Sequence, residues 1–138
     1  MSAASLESPA ETTATGARSA TLAILRIAAG VLFWQHGAQK LFGWLGGQGP
    51  VELVSWMGLA GVIEFFGGIL IAVGLFARAT ALIAFVEMVI AYVWAHMMEA
   101  LWPIQNRGEL ALLYAFIFLH LVTAGPGRWS VDAWRKRR

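Results

Sequence analysis

Four apolar runs, residues 20–37, 53–76, 79–98 and 110–124, hold as charged side chains only Arg26, Glu64 and Glu87. The second run is 24 residues long, about 36 Å of helix at about 1.5 Å per residue, against a hydrocarbon core of about 30 Å. With 13% charged residues and a mean hydropathy of +0.66, the chain has too little polar surface to wrap its apolar atoms in water. Its solvent is therefore lipid, and the expected fold is an all-α integral membrane protein, an antiparallel four-transmembrane-helix bundle. There is no cysteine, which excludes an iron–sulfur cluster, a thiolate zinc site, a disulfide framework or a cysteine nucleophile within this polypeptide.

Residues 1–19 are rich in Ser, Thr and Ala and read as a disordered cytoplasmic tail. The membrane domain is expected over 20–127, and 128–138 form a basic interfacial tail. Run 20–37 lacks a basic leader and carries Arg26 inside, so it reads as an uncleaved span rather than a secretory signal. Glycines 43, 46, 47 and 49 with Pro50, then Arg78, then Pro103, Asn106 and Gly108 mark the three breaks. Short connections make consecutive spans antiparallel and put both termini on one side. Seven Lys/Arg fall on that side (Arg18, Arg78, Arg128, Arg135, Lys136, Arg137, Arg138), against Lys40 and Arg107 on the other, which predicts cytoplasmic termini. Trp44, Trp56, Trp94 and Trp102 near the outer ends, and Trp129 and Trp134 past the inner end, match headgroup-level anchoring, with Trp34 close to the outer belt. Trp129 to Trp134 followed by Arg135-Lys136-Arg137-Arg138 reads as a short interfacial helix on anionic lipid, with Ser130 as its N-cap. The same run gives no case for nucleic-acid binding.

A charge at the centre of a membrane helix costs roughly 2.5 to 3.5 kcal/mol on insertion scales unless it is paired. Arg26, Glu64, Glu87 and His120 incur such a cost. Glu64 shares a face with Ala60, Gly68 and Ala72, and Glu87 with Ala84, Ala91 and Ala95, while Ala23, Gly30 and Gly37 accompany Arg26. Small-residue faces allow close helix approach in membranes, so these charges are expected to point inward. Depth along the helices favours an Arg26–Glu87 pair, with Glu64, nearer the midplane, as a competing partner for Arg26. Two readings stay open: an ion-pair network that fixes register, or a proton- and ligand-handling site. At the outer end His36 and Lys40 share a face, and with His96, Asn106 and Glu109 they could form the mouth of a ligand site. His36 and His96 could in principle ligate a haem, but neither lies in a haem-attachment motif, so haem is not expected, and no metal site is assigned.

The segment Leu25-Arg26-Ile27-Ala28-Ala29-Gly30-Val31-Leu32-Phe33-Trp34-Gln35-His36-Gly37-Ala38-Gln39-Lys40-Leu41-Phe42-Gly43 resembles the opening of the DoxX family of small bacterial membrane proteins. The resemblance continues through Gly61-Val62-Ile63-Glu64-Phe65-Phe66-Gly67-Gly68, Gly74-Leu75-Phe76-Ala77-Arg78, Asn106-Arg107-Gly108-Glu109 and Gly125-Pro126-Gly127-Arg128-Trp129-Ser130-Val131-Asp132. It implies a four-helix protein of the cytoplasmic membrane, with relatives linked to quinol oxidase, to thiosulfate:quinone oxidoreductase and to a thiol-oxidant-defence complex. The positions it singles out are Arg26, His36, Lys40, Glu64, Arg78, Asn106 and Glu109; Glu87, His96 and His120 rest on depth and face alone. Two functions follow as expectations. One is a quinone-associated or accessory subunit of a membrane redox complex, with electrons supplied by a partner. The other is a non-enzymatic scaffold or small-solute carrier; as a transporter, four helices are small unless the protein dimerises.

Overall fold

The computed structural model describes residues 9–138, with side chains from residue 13 onward. Among the described residues the regular structure is all helical: α1 (Pro9–Phe42), α2 (Trp56–Val73), α3 (Ala77–Ala91) continued by a π-helical turn (Tyr92–His96), α4 (Pro103–Asn106), α5 (Glu109–Ala124) and α6 (Val131–Arg135). Three helical stretches are long and apolar enough to cross a membrane: Thr13–Phe42, Trp56–Val73 and Ala77–His96. Helix α5 is apolar but shorter, at 16 residues.

Helix α1 departs from the expected tail over residues 1–19, because helix already runs from Pro9; residues 1–8 lie outside the described residues. Once the apolar span supplies a helical nucleus, each further residue gains a hydrogen bond for one more pair of fixed dihedrals, which carries the helix back through Ala10, Ala14 and Ala17 against the weaker propensities of the threonines and Gly16. At 34 residues α1 is about 51 Å long, well beyond the hydrocarbon thickness.

Helices α1 and α2 pack through glycines and run in opposite directions. Gly30 lies against Gly68 and Ala72, and Gly37 against Gly61 and Phe65. A Cβ on Gly30 would stand 2.6 Å from both the Ala72 nitrogen and the Gly68 oxygen, closer than atoms approach, so backbone touches backbone as in other small-residue membrane interfaces. Helix α5 packs mainly on α3 and reaches α1. Ala81 and Ala84 of α3 share one buried core with Ala111 and Ala115 of α5, and Phe33 of α1 sits edge-on to Phe118 at 4.8 Å between ring centroids.

At the lower end, where α2 turns into α3, Gly74 takes a φ of +73° with Ser130 and the Arg26 guanidinium against its Cα, a place open to no side chain. Phe76 is also left-handed, with φ 50°. Asp132 holds this turn: its two carboxylate oxygens accept from the Phe76 and Ala77 backbone N–H at 2.9 Å each, and its own N–H donates to the Gly74 carbonyl. Asp132 thus caps α3 from a distant segment. Ser130 caps α6, accepting from the Ala133 N–H, as its place in the sequence suggests. At the upper end lie the 43–55 loop and α4. The six tryptophans expected at the two interfaces are exposed, Trp44, Trp56, Trp94 and Trp102 above, Trp129 and Trp134 below.

The glycine contact makes a direct prediction. Gly30→Ala should lower stability by about 1–3 kcal/mol, the usual cost of overpacking, read as an earlier thermal transition in mild detergent. Gly16→Ala, with no atom within 4 Å of its added Cβ, should be neutral or stabilising by up to about 1 kcal/mol.

Candidate functional site

The buried charges sort into two groups that differ from the expected Arg26–Glu87 pair. Arg26, 2% exposed, donates to the carbonyls of Pro126, of Trp129 at 2.7 Å and of Ala72 at 3.4 Å. It ties α1 to the end of α2 and to the segment after α5, so it braces the lower end. Glu64, 3% exposed, is instead paired with Lys40. The reason lies in side-chain direction: in a helix each Cα–Cβ bond leans toward the helix N-terminus. Arg26 therefore leans down, toward the Gly125–Gly127 segment. Lys40, at the upper end of α1, leans down into the interior, and Glu64 on the reversed α2 leans up to meet it.

Glu87 lies within electrostatic reach of both Glu64 and Lys40. Neither of its carboxylate oxygens, nor Glu64 Oε2, has a hydrogen-bond partner among the described residues, and all three are buried. The buried stripe of α3 is Ala77, Thr80, Ala81, Ala84 and Met88, so Glu87 sits on its flank and not on its centre. That flank borders a cleft of about 580 Å³ between α2 and α3, within the usual range of small-molecule sites. Lys40, Glu64 and Glu87 supply its polar wall, and the rest is apolar. It extends along α3 from Leu82 to Trp94, about 18 Å of helix. Trp56 and Trp94 close its upper end edge to face, with ring centroids 5.7 Å apart. Its flanks, among them Ile83, Val86 and Ile90, are exposed on the outside of the helices, so the cleft opens sideways.

The expected outer mouth does not assemble as one cluster. Lys40 turns inward to Glu64, and His36 stands edge-on to the Tyr114 ring at 6.1 Å. His96 Nδ1 bonds the Asn106 carbonyl at 2.9 Å. Asn106 is fully buried, its amide donating to the Ala100 carbonyl while its Oδ1 accepts from the Gly108 N–H at 2.8 Å; it braces the loop above α5. Glu109 is exposed in the first turn of α5, where an acid complements the helix dipole. His120 is exposed and stands apart from the interior charges. The buried stripe of α5 is Ala111, Tyr114, Ala115, Phe118 and Leu121, and residue 120 lies off it. Arg78 donates to the Val122 carbonyl, fastening α3 to the end of α5. Among the described residues no three His, Asp or Glu side chains are grouped to hold a metal ion.

Two charge cycles test this sorting. Lys40→Met alone should cost about 3–5 kcal/mol by leaving Glu64 buried without its partner, and Lys40→Met with Glu64→Leu should recover most of that loss. Arg26→Glu with Glu87→Arg should be no more stable than Arg26→Glu alone; thermal melts in detergent read both cycles.

The DoxX family model matches residues 21–97, the stretch that carries Arg26, Lys40, Glu64 and Glu87. An uncharacterized protein of Haemophilus influenzae is 42% identical over 118 residues, covering 80% of this chain and 87% of the relative. An uncharacterized membrane protein of Mycobacterium tuberculosis is 30% identical over 127 residues, covering 78% of this chain and 77% of the relative. No solved structure matches the chain. With the family model spanning more than half of it, and with helices built to cross a bilayer, the chain belongs to the DoxX family of membrane proteins.

Proposed function

We propose that the chain is a quinone-associated subunit of a membrane redox complex, its cleft between α2 and α3 receiving the ring and the start of the tail. The observation that carries this reading is an apolar, sideways-opening cleft whose wall holds buried Glu64 with Lys40 and Glu87, three of their carboxyl oxygens being without a hydrogen-bond partner among the described residues. An amphipathic ligand with a flat polar head and a long apolar tail fits such a space. Lys40 donates to a ring oxygen, Glu87 and Glu64 hold or exchange a proton beside it, and Trp56 with Trp94 screens the upper end from water. A bound quinone supplies reversible two-electron, two-proton chemistry, and the electrons pass to or from a partner subunit. The scaffold or carrier reading keeps the Arg26 brace in its favour but leaves the three open carboxylate oxygens without a purpose.

In this reading α1, α2, α3 and α5 cross the cytoplasmic membrane of a bacterium as an antiparallel bundle with both termini in the cytoplasm. The seven-to-two Lys/Arg asymmetry supports that orientation. Reporter fusions after Arg138 and near Gly16 should report the cytoplasm, and one near Gly47 the outside; a C-terminal fusion reporting the outside would break the span count.

Purification in mild detergent followed by solvent extraction should yield quinone near one per chain, reduced at least fivefold in an Ala91→Trp variant that fills the cleft. Wild-type protein free of quinone, and unable to bind it when added, overturns the reading. A visible spectrum of the same sample checks for haem.

A further inference from the structure

We infer that the pocket at the lower end, between the start of α3, the end of α5 and α6, binds one anionic phospholipid, its phosphodiester held by Arg78, Arg135 and Lys136. The pocket has a volume of about 680 Å³ and is walled by these three cations, by Asp132 and by the 124–127 segment, a size within the usual range of small-molecule sites. It is separate from the α2–α3 cleft, and the inference stands apart from the quinone reading. Charge makes it a site for an anion. Both Asp132 oxygens are taken up by the Phe76 and Ala77 N–H groups, and among the described residues the one ion pair within 4.0 Å is Lys40–Glu64, so none of the three cations has a carboxylate partner. The first turn of α3 and the last of α5 both border the pocket, so their opposite dipole ends offset one another. The side chains, three positive against one negative, set the sign.

Two of the cations are positioned by the fold. Arg78 Nη1 donates to the Val122 carbonyl at 3.1 Å, and its Nε and Nη2 lie 3.1 Å from where a Cβ on Gly125 would stand. The guanidinium thus lies across bare backbone, with Nε and Nη2 free of hydrogen bonds among the described residues. Arg135 sits over the Phe76 ring, 5.2 Å from its centroid, a cation–π contact that orients the guanidinium and leaves its donors unspent. A guanidinium fork matches two phosphate oxygens, and Lys136 adds a point charge. The basic run at the C-terminus therefore divides: Arg137 donates to the Arg128 carbonyl at 3.4 Å and Arg138 lies over the Trp134 ring at 4.1 Å, both outside the pocket wall. The surroundings favour a lipid over a soluble phosphate. Trp129 and Trp134, the latter between lining residues Ala133 and Arg135, are exposed and mark the headgroup level. Leu82, one turn along α3 from Arg78, and Leu119, one turn before Val122 on α5, are exposed apolar surface for acyl chains. Basic pockets between membrane helices at this level take up anionic headgroups. A phosphate shared by Arg78, Arg135 and Lys136 fastens α6 to the bundle.

The test is native mass spectrometry of the full-length chain, delipidated in a neutral maltoside and titrated with dioleoylphosphatidylglycerol and with dioleoylphosphatidylcholine, which share their tails. The wild type should retain one phosphatidylglycerol per chain, bound at least fivefold more tightly than phosphatidylcholine. Arg135→Gln with Lys136→Gln should lose at least fivefold of that affinity, whereas Arg137→Gln with Arg138→Gln, an equal loss of charge, should lose less than twofold. A ligand stabilises the fold it binds, so phosphatidylglycerol should raise the thermal midpoint of the wild type and of the 137/138 variant, and leave that of the 135/136 variant unmoved. Equal binding of the two lipids by the wild type overturns the inference. Equal losses in the two double variants also overturn it, leaving a diffuse attraction of basic residues to the membrane surface. Release of the bound lipid by inorganic phosphate assigns the pocket to a soluble phosphate and overturns the lipid assignment. The wild-type comparison of the two lipids holds whether or not a variant folds.

Discussion

The guanidinium of Arg26 is the fastening on which the lower end of the molecule depends. It reaches carbonyls 46, 100 and 103 residues away in sequence, so both of its terminal nitrogens are met while Nε is without a partner among the described residues, in a region where each unmet donor of a buried charge is costly. Around it the Gly74 turn, the Gly125–Gly127 segment and the start of α6 close into one piece, with Asp132 bonded to the backbone of that turn. Three of the segments that carry the DoxX resemblance are therefore neighbours in space, and their shared purpose at this end is architectural. Arg78 adds a further tie between α3 and α5.

With the lower end fixed, the separation of α2 from α3 higher up becomes a stable feature. Helix α1 lies against α2 through bare backbone at Gly30, Gly37 and Gly68, and α3 lies against α5 through alanines. Both tight pairings leave the α2–α3 side as the looser seam, and the cleft lies there. Polar side chains divide accordingly. Those that lean toward the lower end become braces, and those that lean together near mid-height become the wall of the cleft.

Much of this was legible in the residues. The apolar runs gave helix type and order, the four-residue recurrence of Ala60, Glu64, Gly68 and Ala72 placed Glu64 inward, and Ser130 announced its cap, whereas the second helix ends at Val73, before the Phe76 at which the run ends. Pairing was not legible, because depth along a helix says nothing of the direction in which a side chain leans. Lys40 looked like a mouth residue only because the first span was drawn to end at Gly37, whereas helix continues to Phe42. His120 was misplaced although its sequence held the correction: Ala111, Tyr114, Ala115 and Phe118 recur at helical spacing, and residue 120 falls off their stripe. Asn106 shows a different limit, since a polar residue in a glycine-containing loop can be a ligand contact or a loop brace, and only its two hydrogen bonds decide for the brace.

If the cleft receives a membrane-borne ligand as proposed, its sideways opening changes what affinity means. A ligand entering between Ile83, Val86 and Ile90 on one side and Leu59 on the other arrives by diffusion in the plane of the bilayer and keeps its tail in hydrocarbon throughout. Burial of that tail then contributes little, because the tail is as apolar in lipid as in the cleft. Occupancy would then follow the mole fraction of ligand among the lipids, and the discrimination between ligands would fall to a handful of polar atoms in the wall of the groove. A site of this design responds to the composition of its membrane and is largely blind to the concentration of the same compound in water.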